Sequence, residues 1–420
     1  MNMKVLHLST FDLVGGAARA AYRIHQAMLG INIDSKLIVQ HKQSNDPTVI
    51  AAESKLVAKL RSVGDAAVLN FYQHRQQMFS PQWFPDALLK SVDRFAPDSI
   101  HLNWVCNGFV PIEVLAKFRQ PLVLTLHDMW SFTGGCHYTL GCNRYTVSCG
   151  NCPQLQSGRD ADLSRSVWQR KATAWQNLDL TIVATSQWMA KCAAESSLFR
   201  DMPIEVIPIG LDTNVFKPID SAIARELLNL PQAKQLVLFG AIDAMADNRK
   251  GFHLLQQALN HLLEKGWGDR LELVVFGSSK PDKPLDLGFP VHYLGRLQDD
   301  LCLRIAYAAA DVTIVPSIEE AFGQIASESF ACGTPVVVFA NTGLADIVDC
   351  HQNGYVAKYC DTADLARGIA WVLEDSERHR RLRQAAREKA EREYTMQVQA
   401  HRYQSLLHKI LDRSKSTPIH

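Results

Sequence analysis

Short apolar, β-branched runs alternate with helix-length amphipathic segments along almost the whole chain, starting with Val5 to Leu8. In the first half the runs predict strands at Val5 to Leu8, Ser35 to Val39, Ile100 to Leu102, Leu122 to Leu126 and Leu180 to Ala184. The second half repeats the pattern at 236–240, 271–277, 291–295, 312–316 and 335–339. Such alternation is that of βα units wound into parallel sheets, an α/β fold. Between the halves, VIPIGLDTNVFKPID holds two X-Pro turns and little periodicity, which predicts a linker. The expected organisation is an N-terminal domain over 1–206, a linker over 207–220 and a C-terminal domain over 221–392, with a cleft between the two domains. A last segment, 393–420, is expected to carry a helix packing back toward the first domain.

A length of 420 residues agrees with two domains. Charge narrows the function classes. Lys and Arg number 44 against 43 Asp and Glu, so no field draws in nucleic acid. The basic run ERHRRLRQAAREKAERE is interleaved with Glu377, Glu388, Glu391 and Glu393 at helical spacing and reads as a solvated helix face. His7, Ser9, Thr10 and Asp12 interrupt the first apolar run short of a signal-peptide core. No window reaches the roughly 18 apolar residues of a spanning helix, so a cytoplasmic location is expected.

Ten cysteines are present, and four of them, Cys136, Cys142, Cys149 and Cys152, fall within GGCHYTLGCNRYTVSCGNCPQL. Their spacing, C-x5-C-x6-C-x2-C, contains one tight pair, where a strong zinc signature has two. Two readings stay open, a structural zinc held by four thiolates and reduced or occasionally paired thiols in an ordered loop. Cys106, Cys192, Cys302, Cys332, Cys350 and Cys360 are scattered among small or apolar residues and read as core. Asp160-Ala161-Asp162 has the form of a metal-binding D-x-D, but it precedes an amphipathic segment and reads as a helix cap.

Chemistry concentrates in PSIEEAFGQIASESFACGTPVVVF, residues 316–339, where Glu320 and Glu328 have seven residues between them. With a helix opening at Phe322-Gly323-Gln324, Glu320 lies in the preceding loop and Glu328 about a turn and a half inside. Both then face the carboxyl ends of the strands, where open α/β sheets bind ligands. Free amides at the helix start suit an anion, Gly323 admits close approach, and a carboxylate accepts bonds from vicinal hydroxyls.

The stretch resembles the E-x7-E signature of retaining glycosyltransferases of family 4, which have the GT-B fold of two Rossmann-like doubly wound domains. Ala321 stands where that family commonly has Gly, and Ser329 where it has Ala; neither removes a functional side chain. The resemblance implies that Glu328 holds the donor ribose, that Glu320 contacts the transferred sugar, and that amides of Phe322, Gly323 and Gln324 line the sugar and phosphate path. LVGGAARAAYRIHQAM resembles the family's glycine-rich first loop, with Gly16 the best match. TLHDMW places His127 at the position of the family's active-site histidine. Lys250-Gly251 matches the family's Lys-Gly. Ala241 stands where many relatives carry arginine, and Arg249 is a candidate substitute for the missing charge on the leaving diphosphate.

By resemblance, the activity is transfer from a nucleoside diphosphate sugar to a saccharide or lipid-linked glycan, with retention and without a catalytic metal or other cofactor. The segment from LHDMW through CGNCPQL resembles a subgroup assigned to colanic-acid-like and exopolysaccharide assembly. Rival readings are a nucleotide-sugar hydrolase or epimerase on the same plan and a noncatalytic sugar-nucleotide-binding protein. KLVAKLRSVGDAAVLNFY, residues 55–72, is expected to pack on the N-terminal sheet as an amphipathic helix. A peripheral contact with the inner face of the membrane, through the edge carrying Lys55, Lys59 and Arg61, is the alternative.

Overall fold

The structure, a computed structural model, describes residues 3–72, 75, 78–85, 88–240, 247–277, 286–297 and 299–416. It divides into two compact units, the first comprising Met1–Gly210 with Met396–His420 and the second Leu211–Thr395.

Unit 1 contains strands β1 (Lys4–Phe11), β2 (Asp34–His41), β3 (Val49–Ala51), β4 (Ser99–Leu102), β5 (Leu122–Leu126), β6 (Leu180–Ala184) and β7 (Ile204–Val206). They form one parallel sheet in the order β3-β2-β1-β4-β5-β6-β7. Apart from Phe11 at the end of β1, the apolar positions of β1, β4, β5 and β6 are buried, which is why these strands read as largely apolar runs. Helices α1 (Gly16–Gly30), α2 (Lys55–Ala66), α3 (Leu89–Phe95), α4 (Leu163–Trp175) and α5 (Gln187–Glu195) connect them. Asp162, from the D-x-D look-alike, is the cap of α4 and accepts from the amide of Arg165 at 3.1 Å.

Unit 2 has strands β8 (Gln235–Gly240), β9 (Leu271–Phe276), β10 (Val291–Gly295), β11 (Val312–Val315), β12 (Val336–Phe339) and β13 (Gly354–Ala357) in the parallel order β10-β9-β8-β11-β12-β13. Its helices are α6 (Ser221–Leu227), α7 (Phe252–Glu264), α8 (Asp300–Ala309), α9 (Gln324–Ala331), α10 (Thr362–Leu373) and α11 (Ser376–Glu393). Leu255, Leu259 and Leu262 of α7 and Leu365, Ile369 and Val372 of α10 bury one face of this sheet. Helix α12 (Met396–Ser416) belongs to unit 1, where Tyr403, Leu406, Leu407 and Ile410 pack on Val5, Ile24, Met28 and Ile207.

Three expectations are corrected. Residues 55–72 do not bury an apolar stripe. Of α2 only Ala58, Arg61 and Asp65 are buried, while Leu56 is 68%, Leu60 60% and Val63 62% exposed. Arg61, expected on a basic edge, is turned inward and pairs with Glu53 at 3.0 Å. Cys302, Cys350 and Cys360 are only partly buried, unlike Cys106, Cys192 and Cys332. Short strands β3, β7 and β13 were not foreseen.

Candidate functional site

In each sheet the strand order reverses once, between β1 and β4 in unit 1 and between β8 and β11 in unit 2. Loops leaving the carboxyl ends of such neighbouring strands diverge and open a crevice. In unit 2 the two segments are 247–251, after β8, and 316–323, after β11. They are sewn together at the backbone, with the amide of Ile318 donating to the carbonyl of Arg249 at 2.9 Å. Gly251 has φ 72°, and a Cβ there would stand 1.9 Å from the carbonyl oxygen of Pro316, so only glycine permits this approach. Ala241, the position of the arginine common in relatives, lies outside the described residues.

This stitching brings Arg249, Lys250 and Glu320 together. Lys250 Nζ donates to Glu320 Oε2 at 2.7 Å, and Arg249 Nη1 lies 3.6 Å from the same oxygen. Arg249 is further held by the Glu319 carbonyl at 2.9 Å and by Asp247 Oδ2 at 3.0 Å. Burial alone would raise the pKa of Glu320, but the charges of Lys250 and Arg249 outweigh it and hold the carboxyl below its ordinary range. The result is a compact group of two cations sharing one ionised carboxylate.

Gly323, with φ 101°, precedes the first residue of α9, Gln324. A Cβ on Gly323 would meet Leu344 at 2.1 Å and Glu320 Cγ at 3.7 Å, so the loop is tight around the carboxylate. Phe322 is buried edge-on against Tyr394 at 5.7 Å, which leaves its backbone as the part able to serve a ligand. Glu328 lies inside α9, buried, and accepts a bond from Tyr307 Oη at 3.0 Å.

In unit 1, Gly16 opens α1 behind Gly15, whose φ is 87°. His127 follows β5 directly, and its Nε2 is 3.2 Å from Asn103 Oδ1 at the end of β4. Burial lowers the His127 pKa to about 4, with Asp128 opposing, so the ring is neutral near pH 7. Its Nδ1 and the amide nitrogen of Asn103 are buried without hydrogen-bond partners among the described residues. Asp128 acts on His127 through its charge and makes its hydrogen bonds elsewhere. It accepts from Trp104 Nε1 at 2.7 Å, from the Trp130 amide at 2.8 Å and lies 2.6 Å from His137 Nδ1. His137 Nε2 in turn lies 2.9 Å from Ser80 Oγ, a buried chain that ties the cysteine loop to β5.

The four clustered cysteines line one small cavity. Burial raises the thiol pKa values of Cys136, Cys149 and Cys152, that of Cys149 to about 12. Among the described residues, no three His, Cys, Asp or Glu side chains stand close enough together to hold a metal ion as they are placed. Sequence reasoning missed Asp247, Asn103 and Tyr307, the groups that orient Arg249, His127 and Glu328. Of these only Asp247, two residues before Arg249 in D-N-R-K, left a local sign; its carboxylate accepts from the Arg249 amide at 3.0 Å.

Residues 14–215 match the family described as Glycosyltransferase Family 4, and residues 231–389 the family described as Glycosyl transferases group 1. A D-inositol 3-phosphate glycosyltransferase of Xylanimonas cellulosilytica is 36% identical over 308 residues, 69% of this chain and 67% of that protein. A protein of the same name from Nocardia farcinica is 27% identical over 297 residues, 68% of this chain and 60% of that one. The matches therefore span 60 to 67% of the length of these curated relatives. Among solved structures, sucrose-phosphate synthase from Thermosynechococcus elongatus superposes with a TM-score of 0.71 at 20% identity, covering 98% of this chain and 100% of that one. Anabaena HepE in complex with UDP-glucose gives 0.65 at 18% identity, covering 97% and 100%. At these identities the likeness is one of fold. The chain belongs to the group 1, family 4 glycosyltransferases and has their GT-B fold of two Rossmann-like domains.

Proposed function

We propose that the protein transfers a sugar from a nucleoside diphosphate sugar to a hydroxyl of a saccharide or lipid-linked glycan in cell-surface polysaccharide assembly. Transfer retains the anomeric configuration and needs no catalytic metal or other cofactor. The observation that carries this reading is the cluster of Lys250, Arg249 and Glu320 at the strand-order reversal of unit 2. Lys250, held by Glu320, and Arg249, held between Asp247 and Glu320, are ready to be re-partnered by an arriving diphosphate, and they stabilise the charge that develops as it departs. Amides of Phe322, Gly323 and Gln324 line the phosphate and sugar path. Glu328, oriented by Tyr307, accepts bonds from the ribose hydroxyls. Glu320 binds the transferred sugar, while His127 and Gly16 are assigned to the reacting sugar and the donor phosphate.

A saccharide acceptor is supported by a row of partly exposed rings at the carboxyl edge of the unit 1 sheet. Phe11 and His41 lie 5.0 Å apart with planes 16° from parallel, and Phe11 and Trp104 6.1 Å apart at 24°. Such surfaces suit the apolar faces of sugar rings. A second reading, a cyclitol phosphate acceptor, is favoured by the names of the relatives. No helix among the described residues is long and apolar enough to cross a membrane. We place the protein in the cytoplasm, touching the inner face of the membrane through the exposed face of α2.

The test is a panel of nucleoside diphosphate sugars screened by thermal stabilisation, followed by product analysis with a saccharide, with inositol 3-phosphate and with water alone. A glycosylated saccharide of unchanged anomeric configuration is expected. Product on inositol 3-phosphate alone selects the second reading, free sugar without acceptor product shows a hydrolase, and binding of no nucleotide sugar overturns the proposal.

A further inference from the structure

Cys136, Cys142, Cys149 and Cys152 line a cavity of about 20 Å³ in unit 1. That is the space of about one water-sized sphere, enough for a single ion and too small for an iron–sulfur cluster. A backbone donor points at one of the sulfurs. The amide of Gly134 donates to Cys149 Sγ at 3.1 Å. An amide turned on a cysteine sulfur orients it and favours its thiolate form.

A lysine is buried beside the same thiols, and burial lowers its pKa to about 7. Lys171 is fully buried, 3.7 Å over the Trp130 ring, and its ammonium donates to the carbonyls of Trp130 and Thr133 rather than to a carboxylate. Its electrostatic neighbours include Cys149 and Cys136. At the cavity wall, Gln154 is buried with its Oε1 unpartnered among the described residues, while its Nε2 donates to the Thr139 carbonyl at 2.6 Å. A cation held by the four thiolates would give the Gly134 amide and Lys171 a nearby negative charge to stabilise.

We propose that Cys136, Cys142, Cys149 and Cys152 bind one structural Zn²⁺ as a tetrathiolate, with Lys171 as its buried counter-charge. The four cysteines as they stand line the cavity without closing a coordination shell. Binding draws them inward to the usual Zn–S distance of about 2.3 Å and releases the four thiol protons to solvent. The complex carries a net charge of minus two, which Lys171 halves. Four protein ligands leave no open position, so the ion shapes the loop after β5 and takes no part in sugar transfer. The inference stands independently of the transfer reading.

The test uses the untagged full chain, purified under reducing conditions without chelator. Elemental analysis is expected to find one zinc per chain, and cobalt titration of the demetallated chain the absorption of tetrahedral cobalt thiolate. Cys142→Ser and Cys152→Ser lose the metal, while Cys302→Ser, outside the cluster, keeps it. Lys171→Met weakens zinc about tenfold in chelator competition, as loss of an outer-shell partner does. A reduced wild-type chain with neither zinc nor a cobalt thiolate spectrum overturns the proposal, as do iron in place of zinc or two disulfides in the intact mass. The cobalt titration needs no variant, so it decides between these outcomes even where a cysteine variant fails to fold.

Discussion

Lys250 Nζ stands 2.7 Å from Glu320 Oε2 and Arg249 Nη1 3.6 Å from that same oxygen, so one carboxylate divides two cations. This sharing separates the effects of two substitutions. Glu320→Gln keeps the shape and removes the anion that competes with a diphosphate for Lys250. Calorimetry should then find the nucleoside diphosphate bound as tightly as by wild type or more so, while turnover falls by about 10² to 10³ through lost stabilisation at the sugar. Lys250→Ala removes a charge-assisted bond worth about 1.5–3 kcal/mol, which weakens nucleotide binding roughly ten- to a hundredfold. Wild-type turnover in both variants, each with an unchanged melting profile, would remove the cluster from the mechanism.

At the scale of elements, what could be read from the sequence follows burial. All ten foreseen runs are strands, most of them apolar because central parallel strands are covered on both faces, while the edge strand β10 is half-buried along its whole length. The missed strands β3, β7 and β13 are all sheet edges of three or four residues, such as Ile204–Val206, too short and too exposed for that signature. The glutamate pair was legible because its spacing is local. Asn103 at His127 and Tyr307 at Glu328 were not, because those pairings join residues 24 and 21 positions apart on different elements. Helix α2 was misread for another reason. Periodicity identifies an apolar face without saying what covers it, and here Leu56, Leu60 and Val63 share a face that no described element of unit 1 buries. With Lys55 and Lys59 on the same helix, the proposed occupant is an anionic lipid surface. The wild-type chain should co-sediment with phosphatidylserine-containing vesicles, less so at high salt, and Leu56→Glu with Leu60→Glu should abolish it without lowering the melting temperature. Equal sedimentation of wild type and double variant would remove α2 from any membrane contact.

For the molecule as a whole, the two units have separate cores and different buried charge chemistry, and acid should tell them apart. Unit 1 buries His7, His25 and His101 in one cluster, with ring centroids 5.8 Å apart for His7 and His25 and 4.9 Å for His7 and His101. Neither nitrogen of His7 has a partner among the described residues. His101 Nε2 lies 2.7 Å from Thr125 Oγ1, which lies 2.7 Å from Tyr403 Oη on α12. Burial lowers all three pKa values, that of His25 to about 4 and that of His101 to about 3. Among the described residues of unit 2, His379 is the histidine lowered by burial. The sign follows from proton counts. Below pH 6.5 the unfolded chain binds protons that the folded units refuse, so stability is full above that pH and falls as pH drops toward the folded values. Each such histidine costs about 1.4 kcal/mol per pH unit, so with His127, also lowered to about 4 by burial, one unit of acidification removes about 5–6 kcal/mol from unit 1 and about 1 kcal/mol from unit 2. Six of the eight tryptophans lie in unit 1, so their fluorescence reports chiefly on it. On going from pH 7.5 to 5.0, the fluorescence-detected transition should move to lower temperature further than the remaining calorimetric transition. His7→Phe, which refuses no proton, should flatten that dependence even where it lowers stability at pH 7.5. Parallel shifts of both transitions, or an unchanged slope in the variant, would mean that the histidine cluster does not govern the acid response.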